Sequence, residues 1–165
     1  MGRVFSFPDP VNEKAARVVA GVVLALAIVA LATGAHWLLA VMAYGFVARV
    51  LTGPTLSPLG RLATSVVAPR LGAPRYVPGP PKRFAQAIGA VLTTAGAVLA
   101  LALGQDDAAD GLLVAMVIAA GLESIFAFCL GCRVFGLLMR LGLIPAEVCV
   151  RCADMWSRAG LARPS

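Results

Sequence analysis

All four cysteines of the chain lie near its C-terminus, arranged as two C-x-x-C units. The first unit is Cys129-Leu-Gly-Cys132 and the second is Cys149-Val-Arg-Cys152, with sixteen residues between them. This spacing fits a four-thiolate zinc site, in which paired cysteines recur across about 15–20 residues. Each unit alone also fits a dithiol that exchanges with a disulfide. What the thiols do therefore depends on which compartment they face.

Long apolar segments without charges predict a membrane protein. Apolar residues make up 60% of the chain and charged residues 13%, against roughly a half and a quarter in soluble proteins. A helix needs about 20 apolar residues to cross about 30 Å of hydrocarbon. We therefore predict an all-α polytopic protein whose transmembrane domain covers residues 1–140. Its four spans are predicted at about residues 16–33, 36–51, 84–104 and 111–131, the second being short enough to be re-entrant instead.

The distribution of basic residues predicts the orientation of the chain. Residues 33–36 and 104–110 contain no Lys or Arg, whereas all fourteen basic residues lie on the other side or within a turn of it. The positive-inside rule then places both termini and the loop 52–83 in the cytoplasm. The net charge of +6 indicates contact with anionic lipids on the cytoplasmic face. No interleaving of basic and aromatic residues indicates nucleic-acid binding.

The loop between the second and third spans contains its own helix signal. Ser57 followed by Pro58 is typical of a helix N-cap and first helical position. Apolar and polar residues then alternate at helical spacing up to Pro69. This pattern predicts a short interfacial helix that lies on the membrane surface.

The sequence of the tail, residues 141–165, predicts an amphipathic cytoplasmic helix. This helix is expected to begin near Pro145 and to end near Gly160. Charged residues line one face of this helix, and Cys149 and Cys152 lie on the opposite, apolar face. Both tail thiols are therefore expected to face the membrane or the first C-x-x-C unit.

The third predicted span carries small residues at every fourth position, namely Ala85, Gly89, Thr93 and Ala97. A stripe of small side chains lets two helix backbones approach closely. We therefore expect this face to be a packing seam.

Several segments of the chain resemble one family. They are Gly45-Phe-Val-Ala-Arg49 through Leu51-Thr-Gly-Pro54, Gly79-Pro-Pro-Lys-Arg-Phe-Ala-Gln86, Phe128-Cys-Leu-Gly-Cys132, and the opening Asp9-Pro-Val-Asn12 with Arg17. Together, over about residues 8–140, they look like the domain of unknown function 4395 family of bacterial integral membrane proteins. The family has no established activity. The resemblance implies thiol chemistry by association, because members occur beside thioredoxin-like or sulfurtransferase proteins, and it does not extend to Cys149 and Cys152.

The predicted topology places all four thiols on a reducing side of the membrane, so structural disulfides are not expected. As redox groups, Cys149 would be the exposed, exchanging thiol, because a helix N-terminus and Arg151 both favour its thiolate. Cys129 and Cys132 would be a more buried pair, Cys129 lying at the C-terminal end of the fourth span where the dipole disfavours a thiolate. Such a relay would pass electrons or sulfane sulfur to or from a soluble thioredoxin-like or sulfurtransferase partner.

Two alternatives for the cysteines remain open. In the first, Cys129, Cys132, Cys149 and Cys152 converge on a zinc ion, with Gly131 permitting the turn of a zinc knuckle, and the protein is a non-enzymatic membrane scaffold. Zinc is the one cofactor that the sequence indicates. In the second, the thiols pack as small apolar groups.

Glu123 is an ionisable residue inside the fourth predicted span, about 18 Å from its start and near the bilayer midplane. An ionisable residue inside a span often has a function. Glu123 could carry protons for the dithiol or form part of a transport path. At 3.6 residues per turn, however, Cys129 lies about 120° around the helix from Glu123. The structural alternative is a neutral Glu123 that hydrogen-bonds another span, at Thr93 or Thr94.

The chain contains no glycine-rich phosphate loop, Ser/His/Asp set, HExxH motif or pair of neighbouring carboxylates in a candidate site. These absences argue against ordinary hydrolytic or nucleotide-dependent enzymes. If the chain is an enzyme, it is at most a membrane thiol oxidoreductase or sulfur-relay component.

Overall fold

The computed structural model describes residues 8–149, and these are mostly helical. In chain order the helices are α1 (Glu13–Thr33), α2 (Trp37–Thr52), α3 (Pro58–Leu62), α4 (Ala68–Arg70), α5 (Gly79–Ala97), α6 (Asp106–Phe126) and α7 (Leu130–Arg140). A π-helical turn, Ala63–Val67, joins α3 to α4, and another, Val98–Ala102, extends α5. A 3₁₀ turn, Ala146–Cys149, follows α7.

Three helices are long and apolar enough to span a membrane. They are α1, α5 with its extension to Ala102, and α6, with 21, 24 and 21 residues. Helix α2 is also apolar, but its 16 residues cover only about 24 Å. Three of the four predicted spans thus correspond to helices of sufficient length and hydrophobicity, which supports the prediction of a membrane protein. That α2 also crosses the membrane stays a prediction.

The long helices pack in two pairs, α1 on α6 and α2 on α5, and α5 also contacts α6. The predicted small-residue seam on α5 lies in close contact with a neighbouring helix. A methyl group at Gly89 would overlap the ring of Phe46, and Thr93 is fully buried. Small side chains thus let α5 approach its neighbours, as its sequence predicts.

The two short connections between the long helices lie at the same end of the bundle. The imidazole of His36, at the start of α2, contacts the carboxylates of Asp110 at 2.8 Å and Asp106 at 3.3 Å at the start of α6. The opposite end therefore holds the start of α1, the end of α2, the start of α5 and the end of α6.

A two-stranded antiparallel ribbon departs from the all-α prediction. β1 (Val11–Asn12) pairs with β2 (Tyr76–Val77), so that Val11 faces Val77. Both segments are next to prolines, which favour extended backbone. The Asn12 side chain then accepts a hydrogen bond from the backbone of Lys14 and caps α1. The ribbon fastens the central loop to the first helix.

The helix predicted in the central loop is confirmed. Ser57 accepts a hydrogen bond from the Gly60 N–H as N-cap, and Pro58 is the first residue of α3. Helical backbone continues to Arg70, one residue past Pro69. By contrast, the predicted amphipathic tail helix lies almost entirely outside the described residues.

The fourth predicted span is wrong at its C-terminal end. It was expected to continue to residue 131, but α6 ends at Phe126 and the chain reverses before α7. Ala127 adopts a left-handed conformation with φ of 55°, and the Phe128 N–H bonds the Leu122 carbonyl at 3.0 Å. A helix end of this kind, which resembles a Schellman motif, normally has glycine at the left-handed position. Because this position holds Ala127, the sequence does not indicate that the helix ends here.

Candidate functional site

Cys129 is the N-cap of α7. Its backbone is extended, with φ of −85° and ψ of 106°, and its Sγ accepts a hydrogen bond from the Cys132 N–H at 3.4 Å. The first N–H groups of a helix lack internal partners and carry a partial positive charge that favours an anion. The expectation that Cys129 lies at a helix C-terminus is therefore wrong. Because Cys129 lies at a helix N-terminus instead, the helix dipole favours its thiolate.

The two sulfurs of the first unit interact with each other. The Cys132 thiol donates a hydrogen bond to the Cys129 sulfur, which lowers the pKa of Cys129 and raises that of Cys132. Burial and the Glu123 carboxylate oppose the effect on the pKa of Cys129, whereas the Lys82 ammonium and the Cys132 N–H reinforce it. The net result is one thiol poised to ionise and a second that keeps its proton.

An ion pair lies beside this dithiol. The Lys82 ammonium, on the first turn of α5, contacts the Glu123 carboxylate near the end of α6. The two side chains are only 8% and 16% exposed. A buried pair of this kind is costly to break, because either partner alone would be an uncompensated charge.

Two expectations about Glu123 are wrong. Glu123 lies three residues before the end of α6, which is about 4.5 Å from the helix end and far from a midplane position. Its partner is Lys82 rather than a threonine, since Thr93 donates to the Gly89 carbonyl at 2.7 Å within its own helix. Glu123 acts on Cys129 through space at one end of the bundle, because the chain turns between them.

A cavity of about 330 Å³ opens over the dithiol at this end of the bundle. Cys129 and Cys132 line it, together with Lys82, Phe135 and the exposed Arg133. Cys129 also borders a second, more apolar crevice of about 290 Å³ between α1, α5 and α6. The first unit is thus accessible to another molecule even though Cys129 itself is only 8% exposed.

Gly131 has a different role from the one expected of a zinc knuckle. It is helical, and a Cβ there would lie 2.6 Å from both Cα and Cβ of Ala85 on α5. The missing side chain therefore lets the first turn of α7 lie directly against α5. This contact holds the Cys129 N-cap beside Lys82.

The second unit is only partly described. Cys149 is 4% exposed, is disulfide-bonded, and packs against Phe135. The expectation that Cys149 is exposed is therefore wrong, because Cys149 lies in a 3₁₀ turn that packs back against α7. Its role as an exchanging thiol stays a prediction, since a disulfide is one state of an exchanging pair. Cys152 lies outside the described residues.

A shared metal site is not formed by the residues that the structure describes. Within residues 8–149, no group of three or more His, Cys, Asp or Glu side chains is placed to hold a metal ion. Cys129 and Cys132 come together with each other, but the disulfide at Cys149 leaves that sulfur unavailable as a thiolate ligand.

Lys82 is a site residue that sequence reasoning missed. A signal for it existed: extending the small-residue stripe back by one turn from Ala85 and Gly89 reaches Lys82, which places this lysine on the buried face of α5. Its neighbour Arg83 is exposed and bonds the Val50 carbonyl at 3.0 Å.

Comparison with known families gives a match between residues 11–140 and the model of a domain of unknown function, number 4395. Neither the curated proteins nor the solved structures contain a significant match. The matched region holds Cys129, Cys132, Lys82 and Glu123, and it excludes the second C-x-x-C unit. The chain belongs to the domain of unknown function 4395 family.

Proposed function

We propose that this protein performs thiol–disulfide exchange with a soluble thioredoxin-like partner at the cytoplasmic face of a bacterial inner membrane. One observation carries the proposal: Cys129 caps α7 with its sulfur hydrogen-bonded by the thiol and the backbone N–H of Cys132. A thiol in this position is activated for attack, and its neighbour two residues further along is placed to resolve the product.

The exchange proceeds in two balanced steps. The Cys129 thiolate attacks one sulfur of the partner's disulfide, forming a mixed disulfide and releasing a partner thiolate. Cys132 then loses its proton to that thiolate and attacks Cys129, which forms the Cys129–Cys132 disulfide and releases the second partner thiolate. The partner is reduced by two electrons and this protein is oxidised by two; the reverse sequence oxidises the partner.

The proposed membrane arrangement has four spans, with α2 as the short one. The basic residues and the dithiol belong to the cytoplasmic end, next to anionic lipid headgroups, and the His36 cluster belongs to the outer end. Helices α3 and α4 lie at the inner interface, where an amphipathic segment is stable. In support, both connections that lack Lys and Arg share one end of the bundle.

Sulfur relay is a variant of the same chemistry. If the partner is a sulfurtransferase persulfide, the Cys129 thiolate attacks the outer sulfur and becomes a persulfide, while the partner leaves as a thiolate. Cys132 would then displace hydrosulfide from Cys129 and form the same disulfide. The zinc scaffold needs Cys149 as a thiolate, and its disulfide gives that proposal less support.

Trapping of the mixed disulfide tests the proposal. The Cys132→Ser variant retains Cys129 and lacks the resolving sulfur. It is expected to accumulate a covalent adduct with a thioredoxin variant that lacks its own resolving cysteine and carries its attacking cysteine as a mixed disulfide with thionitrobenzoate, which Cys129 displaces. Reductant should release the adduct on a non-reducing gel. Cys129→Ser is the matched control and should form no adduct with the first unit. The modified cysteine is located by mass spectrometry, and an adduct at Cys132 in Cys129→Ser, or no adduct at Cys129 in Cys132→Ser, would contradict the assignment of Cys129 as the attacking thiol.

A further inference from the structure

A second cationic site lies at the same end of the bundle and is not explained by thiol chemistry. Arg49, in the last turn of α2, is only 6% exposed. Its Nε donates to Gln86 Oε1 at 2.8 Å and its Nη1 to Ser57 Oγ at 3.3 Å. Both acceptors are neutral. Within residues 8–149, no carboxylate forms an ion pair with this guanidinium.

The surroundings of Arg49 only partly offset the cost of burying its charge. The guanidinium lies 4.5 Å from the centroid of the Phe46 ring, which is a favourable cation–π distance. The C-terminal end of α2 contributes a partial negative charge. Neither effect equals the hydration that a buried ion loses, and a paired anion is the usual compensation.

A cavity of about 400 Å³ is lined in part by Arg49. Its walls are mostly proline, alanine and valine side chains from the start of α1 and from the loop that holds α3 and α4. The polar groups that line it include Arg49, Gln86, Asn12 and Thr64. Lys82 also lines it, but its charge is already paired with Glu123. An apolar cavity with a few converging donors is typical of a ligand site.

We propose that this cavity binds a phosphate-type oxyanion that carries an apolar group, with Arg49 as the charged anchor. Because Gln86 Oε1 is engaged by Arg49, the amide nitrogen of Gln86 is left to donate to the ligand. The guanidinium presents paired N–H donors that match the geometry of an oxyanion. The source of the phosphate is either an anionic phospholipid headgroup or a soluble phosphate compound. This site shares Lys82 with the cavity over the dithiol, but it does not depend on the proposed exchange.

The substitution Gln86→Glu tests the site while leaving the buried Arg49 in place. A carboxylate in place of the Gln86 amide would pair with Arg49 internally and occupy the position of the anion's charge. The variant is therefore expected to fold, to melt at a higher temperature than the wild type without ligand, and to lose its response to anions. Gln105→Glu is the matched control, since Gln105 is exposed at the other end of the bundle.

The measurement is the thermal midpoint of the full-length protein in uncharged detergent. One series adds sodium phosphate at constant ionic strength, and another adds phosphatidylglycerol or, as a neutral lipid, phosphatidylcholine. Ligand at 100 times its Kd should raise the midpoint of the wild type and of Gln105→Glu by about 5 °C, and leave Gln86→Glu unchanged. A response to phosphate identifies a soluble oxyanion, and a response to phosphatidylglycerol alone identifies a lipid headgroup. No response in the wild type, or an equal response in Gln86→Glu, would overturn the proposal.

Discussion

Replacing Lys82 with Met is expected to slow alkylation of Cys129 at neutral pH and to destabilise the protein. The Lys82 ammonium lowers the pKa of Cys129, so its loss raises that pKa and leaves less thiolate at pH 7. The same substitution leaves the Glu123 carboxylate buried without its partner, which costs about 3 kcal/mol. Site-resolved iodoacetamide labelling measures the first effect and thermal unfolding measures the second.

Two controls separate the charge of Lys82 from general damage. Arg83→Met removes a neighbouring exposed cation that does not act on Cys129, so it should leave Cys129 labelling nearly unchanged. Glu123→Gln should act on Cys129 in the opposite direction, because the Glu123 carboxylate raises the pKa of Cys129. If Lys82→Met and Glu123→Gln alter Cys129 labelling in the same direction, the electrostatic explanation is wrong.

Replacing Cys132 with Ala is expected to raise the pKa of Cys129 more than any other single change. The hydrogen bond from the Cys132 thiol is the largest contribution that lowers this pKa. A hydrogen bond to a charged group contributes about 1.5–3 kcal/mol, and 1.36 kcal/mol corresponds to one pKa unit. Alkylation of Cys129 below its pKa should therefore slow by about tenfold or more.

Cys132→Ser is the informative comparison for that result. Its hydroxyl can donate a hydrogen bond to Cys129, so Cys129 should remain more reactive than in Cys132→Ala. Equal rates in the Ala and Ser variants would show that the hydrogen bond does not control Cys129.

Much of the helical framework could be predicted because it follows from local composition. Three local features predict parts of this framework by rules that hold for helices in general. They are the charge-free segments, which predict long membrane helices, the Ser57-Pro58 pair, which predicts a helix start, and the small residues on α5, which predict close packing. The three long helices, the loop helix and the seam accordingly agree with the sequence.

The chemistry of the site could not be predicted in the same way, because it depends on one chain reversal. The reversal uses Ala127 in a left-handed conformation and Cys129 as a helix cap, neither of which is a usual residue for its position. Without this turn, the sequence predicts Cys129 at a helix C-terminus and Glu123 near the middle of a span, and both predictions are wrong. The ion pair between Glu123 and Lys82 joins residues 41 positions apart, so local sequence patterns do not indicate it.

The pH dependence of alkylation at each thiol of the wild-type protein tests the central claim most directly. Iodoacetamide labelling of the reduced protein, resolved by mass spectrometry, gives an apparent pKa for each of Cys129 and Cys132. We predict that Cys129 is labelled first, with a pKa below that of a free thiol, and that Cys132 remains protected. Labelling of Cys132 before Cys129, or a pKa of Cys129 at or above that of a free thiol, would contradict the account.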